Sequence, residues 1–177
     1  MQKSTELGDQ QRSLENDLHW LGGIIDGEGA IMAIARKERN RKNNSYIPKI
    51  SIVNTNPIII EDCIKVLRQL GIPFYINFTK GMGTWKPKME IDISGYKRVM
   101  KALPILLPYI RSKKMQSEKL FKLVSSRITR RNDNHGQPIP YDADERKLAQ
   151  EIKELNNNSL ILSETIRREW QLKATKI

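Results

Sequence analysis

Two carboxylates, Asp26 and Glu28, stand two residues apart at the end of the stretch LGGIIDGEG, Leu21 to Gly29. Acids so placed across a helix terminus cannot point the same way. One can tie the helix end to backbone amides while the other projects beyond it. If a second such helix packs alongside, two projecting carboxylates meet near one axis, and like charges that close raise each other's pKa or need cations between them. Carboxylate oxygens with water suit Mg²⁺. Metals a few Å apart beside a phosphodiester form the two-metal arrangement for in-line displacement. Gly22 and Gly23 fit this picture, because they remove the Cβ atoms that would keep another helix backbone away. Glycine otherwise costs a helix about 1 kcal/mol relative to alanine. Taken alone, the stretch also reads as an amphipathic helix closed by an ordinary glycine turn.

The partner such chemistry would need is a polyanion, and the composition favours one. Among 177 residues, 31 are lysine or arginine against 20 acids, a net charge of +11. The 38% hydrophobic content suffices for an ordinary core in a chain of about one domain. No apolar run approaches the ~18 residues of a membrane span. The polar start, MQKSTELGDQQRSLEND, lacks the apolar region of a signal peptide. Cys63 is the only cysteine, so an intramolecular disulfide is impossible and an intracellular setting, cytoplasm or organelle, is expected. One cysteine and two histidines, His19 and His135, allow no zinc-finger spacing. His19, Trp20 and Cys63 read as packing residues.

The acids are positioned by a recognisable run of elements. Residues 1–15 read as a flexible leader. Asn16 and Asp17 can cap a helix bearing Leu18, Leu21, Ile24 and Ile25 and ending near Asp26. Gly29–Arg36 and Tyr46–Asn54 read as strands on either side of a charged turn. Asn56 followed by Pro57 starts a helix with Ile60, Cys63, Ile64 and Leu67 inward, and Gly71 ends it. PFYINFTK and KPKMEIDIS give two more strands around Gly81–Gly83. In the second, Lys86, Lys88, Glu90 and Asp92 alternate with Met89, Ile91 and Ile93, so one face is apolar and the other charged. Helices over Tyr96–Leu107 and Ser112–Arg130 follow. Asp142 with Glu145 forms a capping box for a further helix ending at Asn156–Asn158. The order is α-β-β-α-β-β-α plus C-terminal helices, an α+β core spanning 16–130 with a helical extension of the same domain over 131–177.

The nine-residue string resembles the motif that names the LAGLIDADG homing endonucleases. Leu21, Gly22, Gly23, Ile24, Ile25, Asp26, Gly27, Glu28 and Gly29 correspond to it position by position. Gly22 and Gly27 replace alanine, Ile24 replaces leucine and Glu28 replaces aspartate, each keeping size class or charge. The resemblance covers about Asn16 to Arg130 and implies an antiparallel DNA-binding sheet saddle. It implies that Glu28 binds the metal with help from the Gly27 carbonyl, and that Asp26, Gly22 and Gly23 are structural. It implies Mg²⁺ as cofactor, with Mn²⁺ or Ca²⁺ able to substitute for binding. It places a water-orienting polar residue at the end of the second strand, where Asn54 stands with Thr55 beside it. It places a phosphate-contacting lysine after the third core helix, where Arg111, Lys113 and Lys114 are available and Lys113 fits best. One motif per chain implies a homodimer, cutting a long pseudo-palindromic double-stranded DNA site across the minor groove to leave short 3′ overhangs. The gene would lie in an intron or intein.

Strand alternation supplies the recognition surface. Period two from Glu28 carries the exposed face through Ala30, Met32, Ile34 and Arg36. Lys49, Ser51, Tyr75, Asn77, Thr79, Lys86, Lys88, Glu90 and Asp92 supply polar groups, while Arg39, Arg41 and Lys42 sit in a turn able to reach outer bases or phosphates. Two alternatives share the fold: an RNA maturase, whose partner would be intron RNA, and a non-cleaving DNA-binding regulator. Retention of Glu28 and Lys113 favours the nuclease.

Overall fold

A computed structural model describes residues 3–37, 45–84, 86–130 and 139–157. The first helix, α1 (Lys3–Glu28), is longer than the sequence suggests. No proline interrupts it, and it runs through Asn16 and Asp17 rather than starting at them. Residues 3–15, expected as a leader, continue the helix, which is about 39 Å long at ~1.5 Å per residue. Leu14, Leu18, Leu21 and Ile25 repeat along one side, and the last two are fully buried.

Four antiparallel strands follow: β1 (Gly29–Arg36), β2 (Ser45–Asn54), β3 (Tyr75–Thr79) and β4 (Lys88–Ser94), in the order β1-β2-β4-β3. Gly29 pairs with Ile52 and Arg36 with Ser45; Ser51 in turn pairs with Asp92, and Asp92 with Tyr75. Ile31, Ile50, Ile52, Ile91 and Ile93 are fully buried on one face, where the helices supply Leu21, Ile25, Cys63, Leu67, Leu103 and Leu106. The opposite face carries the alternate residues.

Helix α2 (Pro57–Gln69) begins as its sequence dictates, with the Asn56 side chain accepting from Ile58 N–H at 3.0 Å. It ends with Gly71 at φ +62°, where Gly71 N–H bonds Arg68 O and Ile72 N–H bonds Leu67 O, both at 2.9 Å. This reciprocal closure requires the left-handed residue that glycine supplies. Helix α3 (Tyr96–Leu106) passes into a 3₁₀ turn, Leu107–Tyr109, and α4 spans Lys114–Thr129.

A fifth helix, α5 (143–157), is started by the expected capping box: Asp142 N–H donates to Glu145 Oε2 at 3.0 Å and Glu145 N–H to Asp142 Oδ1 at 2.7 Å. It is clamped to the core. The Tyr96 hydroxyl donates to Tyr46 O at 2.7 Å and accepts from the Tyr141 hydroxyl, which lies 3.2 Å from the same carbonyl. Burial, then the Tyr141 contact, pushes the Tyr96 phenol well above its ordinary pKa. Arg127 lies 4.1 Å over the Tyr141 ring, and Lys119 pairs with Glu151 at 2.6 Å. Asn156 Nδ2 donates to Ile31 O on the outer edge of β1 at 2.9 Å, covering an edge carbonyl.

Candidate functional site

The end of α1 and the segment before α4 hold one another. Asp26 Oδ2 accepts from the backbone N–H groups of Arg111 at 2.7 Å and Ser112 at 3.1 Å, and Oδ1 accepts from Lys113 N–H at 3.0 Å. Burial alone would raise the Asp26 pKa; the amides of Arg111, Lys113 and Ser112 outweigh it and hold the carboxyl below its usual range. α4 begins at Lys114, two residues later than expected, directly after the three amides that Asp26 holds. Lys113 reciprocates. Its ammonium donates to Ile25 O at 3.1 Å and to Asp26 O, the orphan carbonyls at the negative end of α1. Burial lowers the Lys113 pKa, and the attraction of Asp26 and Glu28 only partly opposes it. Glu28 projects, exposed, from the last position of α1. Asp26 and Lys113 are therefore a two-way latch that leaves Glu28 outside.

The motif glycines divide by neighbour. A Cβ on Gly22 would meet Tyr109 O at 2.3 Å, so Gly22 serves contact within the chain, not between two motif helices as the sequence led one to expect. One on Gly29 would meet Ile25 O at 2.6 Å, because the chain folds straight back from helix to strand. Gly23 and Gly27 have nothing within 4 Å. They lie at helical spacing from exposed Asn16 and from Trp20, which borders a groove against Asp62, Lys65, Val66 and Gln69 of α2.

Asn54 ends β2, and its Oδ1 accepts from Asn56 N–H at 2.8 Å, the duty of a turn asparagine. Thr55 is exposed beside it.

Strand register places Ala30, Met32, Ile34 and Arg36 on one face with Lys49, Ser51, Glu90, Asp92, Lys88, Tyr75, Asn77 and Thr79. Arg36, Lys88, Asn77 and Thr79 are exposed there, Lys86 is exposed in the turn before β4, and Arg111 and Lys114 are exposed beside the latch. Three expectations are revised. Ser51 is 4% exposed, a short side chain paired across strands with the longer Asp92, so it is not open to a ligand. Lys49 does not stand free: it bonds Glu90 and Asp92, both at 2.8 Å. Tyr75 is held by Arg98, whose guanidinium lies 4.3 Å over the ring and donates to the hydroxyl. Arg98 was not singled out by sequence reasoning, since its partner lies 23 residues away with no local signal. Arg39, Arg41 and Lys42 lie outside the described residues.

Oxygen donors gather at the end of α1. Of these, the Ile25 and Asp26 carbonyls are taken by the Lys113 ammonium, and the Glu28 carboxylate is exposed. Among the described residues, one copy of the chain has no group of three or more side chains able to hold a metal. Also among the described residues, no helix is long and apolar enough to cross a membrane.

No family model matches the chain. An uncharacterized protein of Methanocaldococcus jannaschii is 33% identical over 63 residues, 36% of this chain but only 22% of that protein's length. The fold is similar to solved homing endonucleases. I-CvuI, bound to an I-CreI target in the presence of Mg with the DNA not cleaved, superposes with a TM-score of 0.59 at 19% identity, covering 81% of this chain and 83% of that one. The archaeal intron-encoded I-Vdi141I, complexed with DNA, gives 0.55 at 15% identity, covering 80% and 98%. The LAGLIDADG enzyme I-GzeII, in complex with a DNA target, gives 0.55 at 16% identity, covering 78% of this chain and 43% of that one.

Proposed function

Because the chain has the fold of the LAGLIDADG homing endonucleases, we propose that it is a site-specific DNA endonuclease acting as a homodimer inside the cell that hosts its gene. The observation that carries this reading is the latch. It commits Asp26 and Lys113 to each other and leaves Glu28 as the exposed carboxylate at the helix end. The match to nearly all of I-Vdi141I and to under half of I-GzeII supports one unit per chain, completed by a second copy. The open space over Gly23 and Gly27 supports where that copy sits.

Glu28 and the Gly27 carbonyl, with their counterparts in the second copy, would hold Mg²⁺. When bound, the metal supplies Lewis-acid stabilisation of charge on the phosphodiester and activates water. Lys113, fixed over the helix end, stabilises charge that develops on the scissile phosphate. Asp26 is a positioning residue, since it fixes the backbone that carries Lys113. Asn54 spends Oδ1 on its turn and keeps its Nδ2 group to orient water. Arg36, Lys86, Lys88, Arg111 and Lys114 neutralise phosphates, while Asn77 and Thr79 face the bases.

The test incubates the purified chain and Mg²⁺ with the uninterrupted DNA of its own insertion locus. A double-strand break is expected. Glu28→Gln should bind that DNA with at least wild-type affinity, having lost a negative charge near phosphates, and should not cut it. Cleavage by Glu28→Gln within a small factor of wild type would reject the assignment.

A further inference from the structure

The latch decides what the end of α1 can offer a hard cation. Both Asp26 oxygens are engaged, Oδ2 by the amides of Arg111 and Ser112 and Oδ1 by that of Lys113. The Ile25 and Asp26 carbonyls both accept from the Lys113 ammonium. That ammonium is a resident cation at the negative end of the helix, the place where a divalent cation would otherwise gain from the dipole. It also lies within electrostatic reach of Glu28 and offsets part of the attraction that this carboxylate exerts. Mg²⁺ and Ca²⁺ take roughly six or more oxygen ligands, and Mg²⁺ gives up water reluctantly. Among the described residues, one copy of the chain gathers no group of three side chains to meet that demand. A second copy related by a two-fold axis brings a second ammonium along with its second Glu28.

DNA changes both sides of this balance. Its phosphates supply anionic oxygens, the ligands that the helix end lacks. An ammonium has three N–H donors, and that of Lys113 is held by two acceptors, so one donor remains for a phosphate oxygen. A phosphate placed there offsets the positive charge that repels an incoming cation. Lys113 therefore opposes a cation that arrives alone and tolerates one that arrives after the phosphate.

We propose that Lys113 keeps divalent cations off the α1 end of the DNA-free protein, so that cation loading follows DNA binding. This rests on the nuclease reading above. The test titrates Ca²⁺ into the purified full chain and reads the free ion with a calcium electrode, first without DNA and then with the uninterrupted duplex of the insertion locus. Glu28→Gln in the same two states gives the background, including Ca²⁺ taken up by the duplex itself. Without DNA, wild type should take up no more Ca²⁺ than Glu28→Gln. With DNA, it should hold Ca²⁺ about tenfold or more tighter than the Glu28→Gln complex, the scale on which one neighbouring charge moves an ionic equilibrium. Lys113→Met without DNA should gain about tenfold over wild type, and adding Glu28→Gln should erase that gain. Loss of a merely structural lysine would not tighten ion binding. If Lys113→Met does not fold, Lys113→Gln, uncharged but still able to donate to a carbonyl, makes the same comparison. Wild type that holds Ca²⁺ through Glu28 as tightly without DNA as with it would overturn the loading order alone, as would a folded Lys113 variant with no gain. A duplex that neither wild type nor Glu28→Gln retains would overturn the nuclease reading and the loading order with it.

Discussion

At the scale of single residues, the acids of the motif have opposite environments two positions apart. Asp26 is surrounded by N–H donors and Glu28 faces outward. Asp26→Asn turns an NH₂ group toward amides that need an acceptor. Bonds to charged groups are worth roughly 1.5–3 kcal/mol each and a lost acceptor leaves its donor unpaired. Denaturant melts should therefore show Asp26→Asn less stable by about 2 kcal/mol, with cleavage impaired because Lys113 is no longer fixed. Unchanged stability would mean that the latch is not what holds these segments. Lys113→Met loses the latch bonds to Ile25 O and Asp26 O and should also melt below wild type. Where it is fully folded, it should still slow single-turnover cleavage by orders of magnitude, which the loss of stability alone would not do. If Arg111→Met or Lys114→Met is the damaging change instead, the catalytic register is wrong.

At the scale of elements, neighbouring glycines give opposite predictions. Gly22→Ala puts a Cβ 2.3 Å from a backbone oxygen and should lower the melting temperature of the fold. Gly23→Ala meets nothing and should match or exceed wild type, since alanine favours a helix by about 1 kcal/mol. Gly23→Leu should keep the fold but weaken dimerisation and cleavage together, because two copies of the added side chain meet across a two-fold contact. Equal melting curves for Gly22→Ala and Gly23→Ala would contradict this division. Cys63, fully buried on α2 with its thiol pushed up to about 11 chiefly by burial, should resist a maleimide at pH 8 until the protein unfolds. Elements whose ends are set by local chemistry were legible in the sequence: Asn56–Pro57 and the Asp142–Glu145 box start their helices, and Gly71 ends one, where expected. The N-terminal extent of α1 was not, because KSTELGDQQRSLEND lacks a continuous apolar stripe and ends in two plausible caps, Asn16 and Asp17, that the helix simply passes. The glycine pair announced a close approach without saying which backbone approaches. The partners of Lys49 and Tyr75 depend on cross-strand register and on α3, which no short window encodes.

At the scale of the whole molecule, a net +11 chain bears a sheet face with basic residues at its margins and the Lys49 cluster near its middle. DNA binding should weaken steeply with salt, by a logarithmic slope of about 0.9 per phosphate neutralised. A nearly flat slope, or a protein that sediments as a monomer both free and on cut DNA, would contradict an extended dimeric footprint. The latch joins α1 to residues 111–113, and none of its bonds involves a side chain of the exposed sheet face. If the chain is the endonuclease proposed here, its recognition and its hydrolysis vary separately. Substitutions at face positions such as 32, 34, 77 and 88 would then redirect it from one site to a related one while leaving the latch intact.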